Sequence, residues 1–346
     1  MPNSTHYREA YPRAGDVALL CEGDIVGYEA AIFRRWADST LRTDPLVDVW
    51  PCGTAESIYG LSDAVGRARP LMVIEDRDFR SQEEALKDCV DSQKDRERRD
   101  VRVLAWCSWR RNEIENYLLQ PDVILPTMES AFGSAGCTKE DVSAGLSEIL
   151  PSLAVFQATQ YALYRVRRAW DRSDPAPILP SKVEFRPTWD DAAQKLIAPN
   201  PLNVRDGLKA NVPVWNAHFL ENVSSPTPLQ GKNLVADFEA KFESWKNVDL
   251  NHEAWRLDWS GKDVMQWLRI WLTAKFGWQE MASGKRVKLK WGSLSRAKRD
   301  AQDRPIEAAI RPILVRRLVD YIAAQQHGDI REEFSAFENS LRAYST

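Results

Sequence analysis

The first third of the chain alternates short apolar runs with segments of helical spacing, and this alternation constrains the fold more than any other feature. Val17–Cys21 is continuously apolar and reads as a buried strand, and the segment after it carries Tyr28, Ile32 and Trp36 on one helix face. A second strand is expected over Leu46–Gly53, followed by Thr54 as a helix N-cap with Ile58, Leu61 and Val65 on one face. A third strand is expected over Pro70–Phe79, then a charged helix from about Ser81 to Arg99, then a fourth strand over Val101–Trp109. Strands and helices alternating at this pace predict an α/β fold, a parallel sheet flanked by helices. Ligands of such sheets bind outside the carboxyl ends of the strands.

Those ends carry acids and glycines here: Glu22 and Gly23 after the first strand, Gly53 after the second, Asp76 and Asp78 after the third. Taken as extended chain, Asp76-Arg77-Asp78 directs both carboxylates to one side. Two carboxylates held that close repel unless a cation lies between them, and hard oxygen ligands suit Mg²⁺ or Mn²⁺. Glu22 from the neighbouring strand end could complete the cage, with Asp24, Glu113 and Glu115 as further acids in reach. A divalent ion so held neutralises charge on a phosphodiester and acidifies a bound water. An isolated Asp-x-Asp also serves as a helix cap, so the inference rests on the ordered set.

Glu22-Gly23, Gly53 and Asp76-Arg77-Asp78, in that order on four strands, resemble the TOPRIM domain of topoisomerases, bacterial primases and OLD-type nucleases. The stretch from Trp109 to Ile124, with Glu115-Asn116-Tyr117-Leu118, resembles the segment after the last strand in stand-alone OLD-like TOPRIM nucleases. That group includes the effector nuclease of the PARIS phage-defence system. The resemblance covers about residues 14–125. It implies a Rossmann-like sheet and metal-dependent hydrolysis of DNA or structured RNA such as tRNA, in which Asp76 and Asp78 hold the metal. On the same basis Glu22 binds a second ion or acts as general base, Glu115 belongs to the catalytic set, and Gly53 lets the backbone approach the phosphate. It further implies a homodimer working as a toxic antiviral effector under an ABC-type, SMC-like ATPase partner. One departure stands out: Val26 occupies the position where these enzymes carry a second acid, and Asp24 or Glu29 could replace it.

Residues 126–346 show no second alternating pattern. Val155–Trp170, Leu234–Trp245, Lys262–Phe276, Ile306–Gln325 and Ile330–Leu341 read as helices, separated by proline-bearing loops at Pro175–Pro187 and Pro199–Pro228. This half is expected to be a mostly helical accessory domain for partner or nucleic-acid recognition. A net charge of −3 argues against coating nucleic acid by bulk charge, so phosphate contacts must come from local clusters. Lys285, Arg286, Lys288 and Lys290 beside Trp291 form one such cluster, which could equally be a lysine-guarded hairpin edge. Arg110 and Arg111 lie beside the acidic set, and Lys262 heads a helix.

Five widely spaced cysteines form no zinc or disulfide pattern and read as core residues. Most of the fourteen tryptophans read as helix packing. A polar N-terminus and the lack of a long apolar run lead to the expectation of a cytoplasmic protein without a membrane span. Two other readings compete with the nuclease. One is a phosphatase or receiver-type α/β domain, disfavoured because Asp76-Arg77-Asp78 follows the third strand. The other is a catalytically degenerate TOPRIM module kept for binding or assembly, motivated by Val26.

Overall fold

The computed structural model describes residues 16–25, 27–41, 45–133, 136–168, 185–222, 231–279, 286–287, 296–325 and 329–345. Val17–Cys21 forms β1, every residue of it buried, and Tyr28–Trp36 forms α1. β2 (Val47–Pro51) leads to α2 (Ala55–Ala68), whose N-cap Thr54 accepts a hydrogen bond from the Ser57 amide. β3 (Leu71–Glu75) is buried throughout and leads to α3 (Gln82–Glu97), opened by a capping box between Ser81 and Glu84. β4 (Val103–Ser108) completes the sheet.

All strand pairs are parallel, in the order β2-β1-β3-β4. The chain therefore steps from β1 outward to β2 and then crosses back over β1 to β3. The direction of winding reverses between β1 and β3, the topological switch point at which open α/β sheets hold ligands. The continuous apolar character of β1 and β3 follows from their inner places, since a strand covered on both faces has no side left for polar residues.

One face of the sheet packs Leu20, Val73 and Trp106 against Ile58 of α2 and Cys89 of α3. An aromatic cluster joins Phe33 and Trp36 of α1 to Trp109 and to Phe334 and Phe337 from the C-terminal region, with ring centroids 5.4–6.3 Å apart. Gly66 marks the closest approach of α2 to the sheet. A Cβ there would lie 2.3 Å from Val101 Cγ1 and 3.1 Å from Leu71 Cδ2. Gly60, on the exposed side of the same helix, has open space. Gly66→Ala is therefore expected to destabilise the protein by roughly 1–2 kcal/mol, overpacking outweighing helix propensity, whereas Gly60→Ala stabilises it by about 1 kcal/mol. Denaturant melts of the two variants, compared with wild type, check the opposite signs.

After β4 come α4 (Glu115–Leu118), α5 (Pro121–Phe132) and α6 (Lys139–Arg168). A hairpin of β5 (Thr188–Asp190) and β6 (Lys195–Ile197) precedes α7 (Pro201–Asn222), α8 (Gly231–Trp245), α9 (Ala254–Leu257) and α10 (Gly261–Phe276). Trp278–Gln279 (β7) pairs antiparallel with Arg286–Val287 (β8), and α11 (Arg296–Ala324) and α12 (Asp329–Ser345) follow. The chain forms two compact units. The first takes the residues up to Thr127 and those from Ala309 onward; the second takes Met128–Ala308. The C-terminal stretch thus belongs with the α/β unit, unlike the expected division at 125/126, because α12 and β4 pack together.

The second unit is mostly helical. α6 packs on α8 and α10, and α7 packs on α8. Trp215, Trp245, Trp255, Trp259 and Trp271 are buried within this unit. The proline-bearing loop expected at Pro199–Pro228 is instead largely helix. Pro201 stands at the first helical position, where a missing amide costs nothing, and the Asn200 side chain accepts from the Leu202 amide at 2.9 Å. Val204, Leu208, Val212 and Trp215 make a buried stripe that outweighs the interior Pro213. The hairpin of β5 and β6 was not legible because each strand is only three residues long, whereas β8 falls in the stretch for which a hairpin edge was one expectation. No helix among the described residues is long and apolar enough to cross a membrane.

Candidate metal centre

The ends of β1 and β2 are closed by a pair of glycines. Gly23 and Gly53 have φ of 85° and 84°, in the region that disfavours any side chain, and they bridge: the Gly23 amide donates to the Gly53 carbonyl at 3.2 Å, and the Gly53 amide returns the bond at 2.9 Å. The backbone turn explains glycine at both positions. Because the Gly53 amide is spent on this bridge, its N–H is not what would meet a phosphate.

Glu22, between β1 and that bridge, reaches across the switch point. Its Oε1 accepts the Asp76 amide at 3.0 Å. Burial, together with the negative charges of Asp76 and Asp78, pushes Glu22 up to about 9. Asp76, Asp78 and Glu113 each bring one carboxylate oxygen within 4.8 Å of the other two. Asp76 and Glu113 are buried and Asp78 is half-buried.

The aspartates do not converge in the manner expected of an extended strand. β3 ends at Glu75, and Asp78 and Phe79 have φ of 52° and 60°, so the segment is a tight turn. Such angles are unfavourable for phenylalanine and persist only where surroundings impose them. Two residues do so. The Asn112 carbonyl accepts from the Arg77 amide at 2.9 Å and the Asp78 amide at 3.2 Å, and its Oδ1 accepts from the Phe79 amide. From below, the buried Arg80 guanidinium donates to the Arg77 carbonyl at 2.8 Å and to the Asp76 carbonyl, and pairs with Glu75 and Asp88. Neither Asn112 nor Arg80 was singled out by sequence, since a lone Asn or Arg carries no pattern.

Glu113 is held by a reciprocal pair with Asn116: its amide donates to Asn116 Oδ1 at 2.9 Å, and the Asn116 amide donates to the Glu113 carbonyl at 3.1 Å. Glu115 is buried on the first turn of α4 but is not one of the three converging acids. Asp24 is exposed and also lies outside that group. Glu29 is buried and accepts from Trp109 Nε1 at 3.2 Å. Val26 lies outside the described residues.

The arginines beside the site have intramolecular partners. Arg110 pairs with Glu332 at 3.0 Å at the surface, and Arg111 lies buried over the Tyr117 ring, donating to the Asn116 carbonyl. Lys262 is exposed on the first turn of α10 in the second unit. Lys285, Lys288, Lys290 and Trp291 lie outside the described residues, and Arg286 is described only as backbone paired with Gln279. The cysteines are poor nucleophiles, since burial pushes Cys52 and Cys107 up to about 12.

The donor set fits a hard divalent cation. Three carboxylates converge, and burial together with the charges of Asp76 and Asp78 favours the protonated form of a fourth acid, Glu22. Asp76, Asp78 and Glu113 are the ligands the geometry offers, with Glu22 adjoining. Comparison with known proteins finds no matching family model, no matching curated protein and no matching solved structure.

Proposed function

We propose that the chain is a Mg²⁺- or Mn²⁺-dependent nuclease of TOPRIM type, hydrolysing phosphodiester bonds in DNA or structured RNA. The observation that carries this is the convergence of Asp76, Asp78 and Glu113 beside Glu22 at the switch point of a parallel sheet. A bound divalent ion would neutralise phosphodiester charge and acidify a water at this position. Asp76, Asp78 and Glu113 would hold it.

Glu22 is the proton-handling group. Burial and the charges of Asp76 and Asp78 favour its protonated form, and a cation held beside it would favour the carboxylate, which could accept a proton from water. Asn112 and Arg80 keep the turn in place through backbone bonds that need no rearrangement during turnover. On the same reading the enzyme is a toxic effector in antiviral defence, acts as a homodimer and takes its trigger from an ATPase partner. The sequence supports that division of labour because Gly284-Lys285 lacks the rest of a P-loop, and no other P-loop is present.

The test is cleavage of supercoiled plasmid and of total tRNA by wild type and Glu22→Gln, with Mg²⁺ or Mn²⁺ and then with EDTA. Cleavage abolished by both EDTA and the substitution is the expected result and selects the substrate class. Calorimetry showing no Mn²⁺ binding that depends on Asp76 and Asp78 would sink the proposal and leave a binding module.

A further inference from the structure

We infer that Asn112 is the positioning residue that assembles the metal centre, joining the turn that carries Asp76 and Asp78 to the segment that carries Glu113; the inference rests on the metal-site reading above. The three ligands come from two pieces of chain that diverge in sequence, the turn after β3 and the segment after β4. Asn112 stands next to Glu113 and takes three successive amides of the other piece, those of Arg77, Asp78 and Phe79. Two of these bonds go to its backbone carbonyl, so the identity of the side chain matters only for the third. That third bond falls on Phe79, which together with Asp78 occupies the left-handed region.

Removing the side-chain acceptor takes away this partner of the half-buried Phe79 amide and releases a residue held at left-handed φ. The turn then relaxes, and Asp78 leaves the position from which it meets Glu113. Asn112 is completely buried, and its Nδ2 has no hydrogen-bond partner among the described residues. Only the acceptor half of the amide is used. Aspartate would serve as acceptor equally well, but it would add a further negative charge to a group already rich in carboxylates.

The experiment compares wild type, Asn112→Ala, Asn112→Asp and, as a control for lost stability, Ser62→Ala. Ser62, on α2, is a buried acceptor for Arg96 of α3 and has no bond to the turn among the described residues. Two quantities are measured on the full chain: amide hydrogen exchange at Asp78 and Phe79, and Mn²⁺ affinity by calorimetry well below the melting temperature. Asn112→Ala should speed exchange at Phe79 by about tenfold or more and weaken Mn²⁺ binding about 10–100-fold, the range for residues that orient metal ligands. Asn112→Asp should retain the protection, and Ser62→Ala should leave both readouts at wild-type values.

Unchanged exchange in Asn112→Ala, or faster exchange with Mn²⁺ affinity intact, overturns the positioning role while the metal site stands. The role fails equally if Asn112→Asp behaves like Asn112→Ala, or if Ser62→Ala weakens Mn²⁺ binding as much. A wild-type protein that binds no Mn²⁺ overturns both the site and the role.

Discussion

Asp78→Asn is expected to make the metal-free protein more stable while abolishing the proposed phosphodiester cleavage. The two effects have opposite signs for one reason. After burial and Asp76, Asp78 adds to what keeps Glu22 protonated, so removing its charge lessens the repulsion among these acids when no cation is bound. Asparagine also tolerates a φ of 52° better than most residues. Together these should raise stability by roughly 1 kcal/mol. Loss of a carboxylate ligand removes several kcal/mol of charge stabilisation, which at about 1.4 kcal/mol per tenfold lowers cleavage about a thousandfold. Thermal melts with EDTA and with Mn²⁺ separate the two: the variant melts higher than wild type without metal and gains nothing from it. A residue serving only the fold would lose stability in both conditions.

The second large effect concerns pH. Glu333 on α12 is buried, accepts hydrogen bonds from the Tyr117 hydroxyl and, at 2.7 Å, from the Arg110 amide, and is pushed by burial up to about 7 from an ordinary value of 4.5. A carboxyl with a raised folded value keeps its full contribution below pH 4.5, where both states are protonated. That contribution is lost as pH rises to about 7, because the unfolded chain ionises first. At about 1.4 kcal/mol per pKa unit, the loss is on the order of 3 kcal/mol. Glu333→Gln, which still presents an acceptor to Arg110, should remove that slope. The wild-type minus variant difference in unfolding free energy should fall between pH 4.5 and 7 and then level off. Glu22, raised to about 9, continues the same trend to higher pH in both proteins and cancels in the difference. A flat difference curve would show that Glu333 titrates over the same pH range in the folded and unfolded chains.

The parts of this fold that were legible in the sequence are those set by local rules. All four sheet strands lie within their expected spans because continuous apolar runs have few alternatives, and the cap at Thr54 follows from a side chain that competes for its own helix amides. The acids at the strand ends were legible for the same reason: Glu22 and Asp76 come together because β1 and β3 are neighbours. The route by which Asp78 meets Glu113 was not legible. It depends on left-handed backbone at Asp78 and Phe79 that no propensity favours, and on an asparagine more than thirty residues away that enforces it. Glu115 attracted attention as part of a recognisable segment, but its neighbour Glu113 occupies the converging position. The return of residues 309–345 to the α/β unit was equally hidden, since a helix pattern says which face is apolar and not which partner covers it.

That return has a consequence for how the molecule is made. Arg110 and Tyr117 flank the loop bearing Glu113, and their shared partner is Glu333, which leaves the ribosome only after the whole of residues 128–308 has been synthesised. The sheet can form early, because its four strands are contiguous in the chain and domains fold as they emerge. Its ligand-bearing loop waits for the far end of the same polypeptide. A truncated or stalled chain would carry Glu113 on an unbraced loop, so the order of synthesis itself delays completion of the acidic cluster until α12 has docked.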